Sequence, residues 1–382
     1  MRVCGRLAAD GRTVTVEVVG GLIAAVRPGA EDGVPGDAGC WLSPGFHDLQ
    51  VNGYAGQDCA RACDWDLLLS RLARSGTALF CPTIVTASRE AMLGSLERIG
   101  SAIDASPSLA RAVTGIHVEG PYIAAEDGPR GAHPREHVRP PDLDEFARMQ
   151  EASGGRVRIV TLAPETAGAL AFIEAVAAQG VVVAIGHTAA SPEQVCESVR
   201  AGATLSTHLG NGCHAMLPRH PNCVWTQLAE DRLTAGIIAD GRHLPGDVLR
   251  CVARVKGAER LVTVSDAVDL GGMPAGRYED GRVEVDEAGN VLLAGTAFLA
   301  GAGFLLDTGL ANLLRHTDLG LAGALASMTA SPAHVLGLAD RKGRVAAGYD
   351  ADLTLFRLEE GTVRIDTVIR GGEMVVGPTA GR

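Results

Sequence analysis

The run "GFHDLQVN", residues 45–52, is the first of eight short apolar stretches that alternate with helical patterns along the chain. Seven similar runs follow it, at residues 78–85, 112–119, 157–163, 181–187, 203–208, 234–240 and 260–266. Strands that alternate with helices indicate parallel βαβ units. Eight such units predict a closed (β/α)8 barrel over residues 44–340, although counting alone leaves a doubly wound sheet open.

The two ends of the chain carry a different pattern, that of short antiparallel strands. "TVTVEVV" (13–19) near the start and "ADLTLFRL" (351–358) near the end alternate apolar with polar residues, which is the period of a half-buried strand. β-rich ends on either side of an α/β middle predict one small β-sandwich domain, built from residues 1–43 and 341–382.

Composition limits the classes of partner. The 382 residues are 46% hydrophobic, enough for a large core, and the net charge of −11 argues against nucleic acid or an anionic membrane as main partner. The most membrane-like run, residues 167–186, is interrupted by Glu174, Gln179 and Gly180. It therefore predicts a helix, a turn and a buried strand instead of a membrane span.

Cysteine usage predicts a cytoplasmic protein with reduced thiols. There are nine cysteines, an odd and sparse set without any C-x-x-C pair, which is not the pattern of a disulfide framework. The first residues, "MRVCGRLAADG", lack the apolar core of a signal peptide.

Ionisable residues stand where the predicted strands end. Glu119 ends the third run, and His187 and His208 end the fifth and sixth, 21 residues apart, which is about one β/α unit. The carboxyl ends of barrel strands form the rim where barrel enzymes place their active sites. Two imidazoles and a carboxylate suit Zn²⁺ or a similar divalent ion with one position left for water. Each residue alone could instead be structural; together they predict a metal site.

Asp266 ends the eighth run in "VTVSDA" and allows two interpretations. An aspartate after a strand often caps the next helix or stabilises a loop. Beside a metal it is also suited to act as a general base, which takes a proton from the attacking water and passes it to the leaving group.

The ordered set of motifs resembles the N-acetylglucosamine-6-phosphate deacetylase family of the amidohydrolase superfamily. The resemblance covers nearly the whole chain and implies a TIM-like metal-dependent hydrolase barrel that removes the N-acetyl group from an amino-sugar 6-phosphate. The motifs that carry it include "LSPGFHDLQVNG" (42–53), "GIHVEGPYI" (115–123), "GHTAAS" (186–191), "GATLSTHLGN" (202–211) and "VTVSDA" (262–267).

The same resemblance implies one metal ion instead of two. Some members of the family carry His-x-His at the end of the first strand and bind two metals, whereas others carry Gln-x-Asn and bind one. Gln50 and Asn52 match the second kind and are vestigial second-metal positions. The implied cofactor is one divalent ion, Zn²⁺ first, with Fe, Co or Mn as alternatives. His47, three residues before Gln50, is interpreted as a structural or ligand-supporting histidine.

The resemblance also implies roles for further residues. Asp266 matches the catalytic acid and base, and His133 in "RGAHP" matches a histidine that contacts the acetamide carbonyl. Arg219 matches a phosphate-binding arginine that can reach across from a partner subunit, which implies a homodimer. The other predicted substrate contacts are Asn211, Gly212 and His243.

One segment of the sequence leaves the identity of the substrate open. "LGNGCHAM" (209–216) stands where the family usually reads more like "LYNAM", and its glycines change the sugar end of the pocket. An N-acetylgalactosamine phosphate or an unphosphorylated amino sugar is therefore an alternative substrate. A catalytically silent barrel, suggested by Gln50 and Asn52, is a further alternative that the intact Glu119, His187 and Asp266 disfavour.

Overall fold

The computed structural model describes residues 1–377; the last five residues of the predicted β domain, 378–382, lie outside them. The chain begins with four strands, of which the second is rich in Val and Thr, the β-branched residues that favour strands, and buries Val14, Val16 and Val18. These strands are β1 (Arg2–Leu7), β2 (Thr13–Val19), β3 (Leu22–Pro28) and β4 (Trp41–Pro44).

Eight parallel strands then form the barrel, in chain order around the sheet, so that each of the eight predicted runs is a barrel strand. The sheet closes where the backbone N–H of Asp266 donates to Gln50 O (2.9 Å) and that of Asn52 donates to Ala267 O (2.9 Å). A short hairpin, β6 (Gly53–Tyr54) and β7 (Gln57–Asp58), follows the first barrel strand. The barrel strands are β5 (Phe46–Val51), β8 (Thr77–Val85), β9 (Ile116–Glu119), β10 (Val157–Leu162), β11 (Val182–Ile185), β12 (Ala203–Ser206), β13 (Thr234–Ile238) and β14 (Leu261–Val264).

Six of the eleven helices within residues 1–377 begin at a side chain that caps the first turn. Before α6, the Ser191 hydroxyl accepts from Gln194 N and the Gln194 side chain accepts from Ser191 N, while Pro192 opens the first turn. None of the helices within residues 1–377 combines the length and apolar character that a bilayer crossing needs. The helices are α1 (Trp65–Arg74), α2 (Arg89–Ala105), α3 (Pro107–Ala112), α4 (Leu143–Ala152), α5 (Ala169–Ala177), α6 (Pro192–Ala201), α7 (Cys223–Ala229), α8 (Gly246–Lys256), α9 (Leu306–His316), α10 (Gly320–Ala326) and α11 (Ala330–Val335).

A small antiparallel sheet is inserted between β14 and α9, and the sequence did not predict it. Its strands are β15 (Gly276–Tyr278), β16 (Val283–Val285) and β17 (Val291–Leu293). Each has only three residues, too few for a two-residue period to be recognised. Leu270, Val283, Val285 and Val291 form a hydrophobic cluster of their own beneath it.

The chain ends on β18 (Leu353–Glu359), β19 (Thr362–Arg370) and β20 (Glu373–Val376), which join the first four strands in one seven-stranded sheet. The predicted β domain from both chain ends is thereby confirmed, as a single sheet of order β20-β19-β18-β4-β1-β2-β3. It meets the barrel where the rings of Phe46 and Phe356 pack at 6.1 Å. The proposed boundaries at 43/44 and 340/341 stay a prediction.

Candidate metal centre and active site

Three side chains from three barrel strands converge at the rim. Glu119 is the last residue of β9, while His187 and His208 each lie two residues beyond β11 and β12. Glu119 Oε1 lies 3.2 Å from His187 Nε2 and 3.0 Å from His208 Nε2, and the two nitrogens are 3.1 Å apart. All three side chains are buried. The structure thus brings together the three residues that the sequence predicted as metal ligands.

The backbone at these positions is strained. His187 (φ 51°), His208 (φ 29°) and Asp266 (φ 52°) all adopt the left-handed region that non-glycine residues rarely occupy. Neighbouring hydrogen bonds hold the conformation; Ala124 N donates to His187 O at 2.9 Å. Such strain concentrates at functional sites, where the surrounding structure enforces a side-chain direction.

The protonation pattern of His187 fits a metal ligand. Its Nδ1 donates to Pro129 O (2.8 Å), so the proton is on Nδ1 and the lone pair is on Nε2, which faces Glu119 and His208. Metal-ligating histidines are oriented in this way by a backbone carbonyl. Two imidazole nitrogens and one carboxylate oxygen within 3.0–3.2 Å of one another form a donor set that fits a divalent ion.

The pKa values of Glu119 and His208 depend on their contact with each other. Burial alone raises the pKa of Glu119, but the close contacts of its carboxylate with the rings of His187 and His208 outweigh burial and hold that pKa well below its usual range. Burial lowers the pKa of His208, yet the hydrogen bond and charge of Glu119 prevail and raise it. Glu119 is therefore ionised at neutral pH, as a carboxylate ligand of a metal has to be.

His133 reaches the same cluster from the loop after β9. Its Nε2 is 3.2 Å from His187 Nε2, and burial lowers its pKa to about 3, so the ring is neutral. Glu119, His133 and His187 would also make a possible ligand triad. The set with His208 is better, because His208 Nε2 touches both Glu119 and His187 whereas His133 touches His187 alone.

Thr86 is a site residue that the sequence reasoning missed. Its Oγ1 lies 2.7 Å from His133 Nδ1, and the hydroxyl is buried just beyond β8. A Cβ at Gly120 would lie 2.2 Å from this oxygen, so only glycine fits there. Thr86 lies in the segment "PTIVTAS" (82–88), but its contact with His133, 47 residues away, depends on the fold and has no local pattern.

Asp266 faces the end of the first barrel strand. Its Oδ1 accepts from Gln50 Nε2 (3.0 Å) and Asn52 Nδ2 (2.7 Å). Burial, followed by the negative charge of Glu119, raises the pKa of Asp266 to about 6. A raised pKa makes a carboxylate a stronger base near neutral pH.

The predicted substrate contacts are only partly assembled. A Cβ at Gly212 (φ 58°) would lie 2.9 Å from His187 Nδ1, so the glycine lies against the histidine cluster. Asn211 is half-buried and donates to His208 O, and His243 Nδ1 bonds Asp240 Oδ2 at 2.8 Å. Arg219 is exposed and makes no hydrogen bond or ion pair within residues 1–377.

Two other histidines lie outside the cluster. His47 is buried near the start of β5, at the opposite end of the strand from Gln50, and its Nε2 bonds Thr114 Oγ1 at 2.7 Å. His214 Nε2 lies 3.1 Å from Glu126 Oε2 and links the loops that follow β9 and β12. Neither is within hydrogen-bonding reach of Glu119, His187 or His208.

Comparison with known proteins gives matches over nearly the whole chain. A model of the amidohydrolase family matches residues 41–375. The chain is 37% identical to N-acetylglucosamine-6-phosphate deacetylase of Bos taurus, over 88% of this chain and 84% of that one. It is 32% identical to N-acetylgalactosamine-6-phosphate deacetylase of Escherichia coli O157:H7, over 88% and 89%. The crystal structure of N-acetyl-D-glucosamine-6-phosphate deacetylase from Mycobacterium smegmatis superposes with a TM-score of 0.88 at 30% identity, over 98% and 100%.

Proposed function

Because this chain belongs to the amidohydrolase family and, within it, to the N-acetylglucosamine-6-phosphate deacetylase family, we propose that it hydrolyses N-acetylglucosamine-6-phosphate to glucosamine-6-phosphate and acetate. The family and the enzyme class predicted from the sequence are confirmed by these matches. The observation that carries the proposal for the reaction is the convergence of Glu119, His187, His208 and Asp266 on one rim of a barrel of that family.

Glu119, His187 and His208 would hold one divalent ion, with Zn²⁺ first and Fe, Co or Mn as alternatives. When bound, such an ion polarises the amide carbonyl and lowers the pKa of water. The buried, ionised Glu119 and the lone pair of His187 Nε2 support this assignment. Amides at Gln50 and Asn52, in place of imidazoles, support a single ion.

Asp266 moves the proton. Its carboxylate accepts a proton from the attacking water and returns it to the nitrogen of the departing amine, so that acetic acid and a neutral amine form. The acid then gives up its own proton to the amine or to solvent, which leaves acetate and the ammonium form of the amino sugar at neutral pH. The half-buried position of Asp266 at the rim, facing the amides of the first strand, supports this assignment.

His133 stabilises the developing negative charge on the acetamide oxygen. A neutral ring is a hydrogen-bond donor only at the nitrogen that carries the proton. If the Thr86 hydroxyl donates to Nδ1, the proton lies on Nε2, the atom nearest His187, and is available to the oxyanion.

The phosphate end of the substrate is held by Asn211, Gly212, Arg219 and His243, with Arg219 acting across a homodimer interface. Arg suits this role because its planar donors bind phosphate in pairs. Large apolar side chains flank Arg219 in sequence and are open to solvent: Met216 is 91% exposed and Trp225 is 55% exposed. These exposures support a partner surface there.

Nine free cysteines support the inference of a cytoplasmic location.

The test is kcat/KM for N-acetylglucosamine-6-phosphate and for free N-acetylglucosamine, measured side by side on metal-loaded protein. We expect a large preference for the phosphate ester, and Arg219→Ala should raise KM for it by about 10- to 100-fold while leaving the free sugar unchanged. Arg232→Ala is the matched control, because Arg232 is exposed and pairs with Glu230 outside this segment. Equal rates on both sugars, or no effect of Arg219→Ala, would overturn the phosphate assignment.

A second candidate substrate is the galactosamine epimer. The match to the Escherichia coli N-acetylgalactosamine-6-phosphate deacetylase favours it, as does the segment "LGNGCHAM" (209–216), which departs from the pattern of the family. N-acetylgalactosamine-6-phosphate, assayed in the same experiment, decides between the epimers by the ratio of the two kcat/KM values.

A further inference from the structure

The side chains of Gln50 and Asn52 meet the same oxygen of Asp266. Gln50 Nε2 and Asn52 Nδ2 lie 3.0 and 2.7 Å from Asp266 Oδ1. Their orientation is fixed by chemistry, because an ionised carboxylate only accepts and the amide oxygens would repel it. Asp266 Oδ2 accepts no hydrogen bond from residues 1–377, and the residue is half-buried. One oxygen is thus held and the other is left for the substrate.

The backbone makes this contact rigid. The first and last barrel strands are joined here by Asp266 N to Gln50 O and by Asn52 N to Ala267 O, both at 2.9 Å. Asp266 adopts a left-handed conformation (φ 52°) that the two amides and the backbone bonds stabilise. The amides therefore act on a carboxylate whose main chain is already fixed to theirs.

Asn52 also leaves a polar atom without a partner. Its Oδ1 is buried and makes no hydrogen bond within residues 1–377, which costs free energy. An apolar side chain of similar shape would avoid that cost. The favourable contact that Asn52 does make is the hydrogen bond from Nδ2 to Asp266 Oδ1. We therefore infer that Asn52 holds the carboxylate in place and contributes little to the stability of the barrel.

Building on the proposed function, we propose that Gln50 and Asn52 are positioning residues for proton transfer: their two amides hold Asp266 Oδ1 and aim Oδ2 at the reacting atoms. They are then more than remnants of a second metal site. Two uncharged donors fix the carboxylate without the full positive charge of a cation, so Asp266 remains able both to accept and to release a proton.

The test is a double-mutant cycle between this amide pair and Asp266 on metal-loaded protein. Asn52→Leu and Gln50→Met each remove the donor and keep a similar volume. Each should lower kcat by about 10- to 100-fold, with KM and metal content unchanged. In the Asp266→Asn background the same substitutions should lower kcat little further, because the carboxylate that the two amides orient is absent.

Gln150→Met is the matched control. Gln150 bonds the backbone of Val157 at the start of β10, away from the rim, so its loss should leave kcat unchanged. Two variants of the pair, each checked for thermal unfolding, keep the test decisive if one fails to fold. An unchanged kcat in both, an equal loss in the Asp266→Asn background, or loss of metal would overturn the proposal. Failure of the wild-type chain to release acetate would instead count against the proposed reaction.

Discussion

Two layers of polar residues lie inside the same barrel, and they are built differently. In the interior layer, His117 bonds Leu49 O through Nδ1 (3.1 Å) and Thr161 Oγ1 through Nε2 (2.7 Å), so both nitrogens are satisfied by protein atoms. In the rim layer, His187 and His208 direct Nε2 atoms at each other and at one carboxylate oxygen. His117 of the interior layer and Glu119 of the rim layer are two residues apart on one strand, and both are buried. Burial and position in the sequence therefore do not show which layer a residue belongs to.

The two layers show that the hydrogen-bonding partners of a histidine indicate its function better than its residue type does. Burial lowers the pKa of His117 to about 4, and the ring stays neutral between two protein oxygens, as a structural histidine does. Lone pairs that face each other are unfavourable unless a cation lies between them. The rim layer therefore has the arrangement of a metal site, whereas the polar groups of the interior layer satisfy one another.

The largest effect is expected from His208. His208→Ala removes a ligand, so metal should be lost and kcat/KM should fall by more than the roughly 10²- to 10⁴-fold that loss of a general base causes. His117→Gln is the matched interior change. It should keep the metal and cost about 1–3 kcal/mol of unfolding free energy, because buried partners lose a bond. Metal analysis and denaturant unfolding check both; loss of metal in His117→Gln would erase the distinction between the layers.

Asp266→Asn should be next in size. The variant keeps a side chain of the same shape but cannot accept the proton, so kcat should fall by roughly 10²- to 10⁴-fold with one metal still bound per chain. Steady-state kinetics together with metal analysis test this. A variant with nearly normal kcat would mean that another group is the base.

A smaller effect is expected at Thr86, which orients His133. Thr86→Val removes the hydroxyl and keeps the volume, so kcat should fall by about 10-fold with metal content unchanged. Thr86→Ser restores the hydroxyl and should recover most of the activity. Equal losses in both variants would show that the methyl group, and not the hydrogen bond, matters.

The last prediction concerns stability instead of activity and belongs to the interior layer. Asp48 is buried on β5 and accepts from the backbone N–H groups of Gln50 (3.2 Å) and Ser265 (3.1 Å), yet burial raises its pKa to about 7. Between pH 4 and 7 the folded chain keeps a proton that the unfolded chain has released, so the contribution of Asp48 to stability falls as pH rises through this window.

Asp48→Asn removes that dependence. Relative to wild type, the variant should gain stability from pH 4 to 7, by up to about 1.4 kcal/mol per pH unit. Denaturant unfolding of both chains at several pH values measures the difference. A difference that is constant with pH would show that Asp48 is ionised in the folded chain throughout.

The strands and the rim residues could be predicted because their signals are local. An apolar run that ends in His187 or His208 can be recognised within about eight residues, and the order of the eight runs gives their neighbours. The contacts between Gln50 and Asp266, 216 residues apart, and between Thr86 and His133 arise from closure of the barrel and have no local pattern. Arg219 is exposed and makes no hydrogen bond within residues 1–377, and its proposed role across a dimer interface has no local pattern in the sequence.

The most direct test of the whole account is acetate release from N-acetylglucosamine-6-phosphate by metal-stripped protein that is titrated with Zn²⁺. The account predicts that activity rises in proportion to added metal and reaches its plateau at one ion per chain. A plateau that requires two ions, or no acetate at any ratio while metal binds, would contradict it.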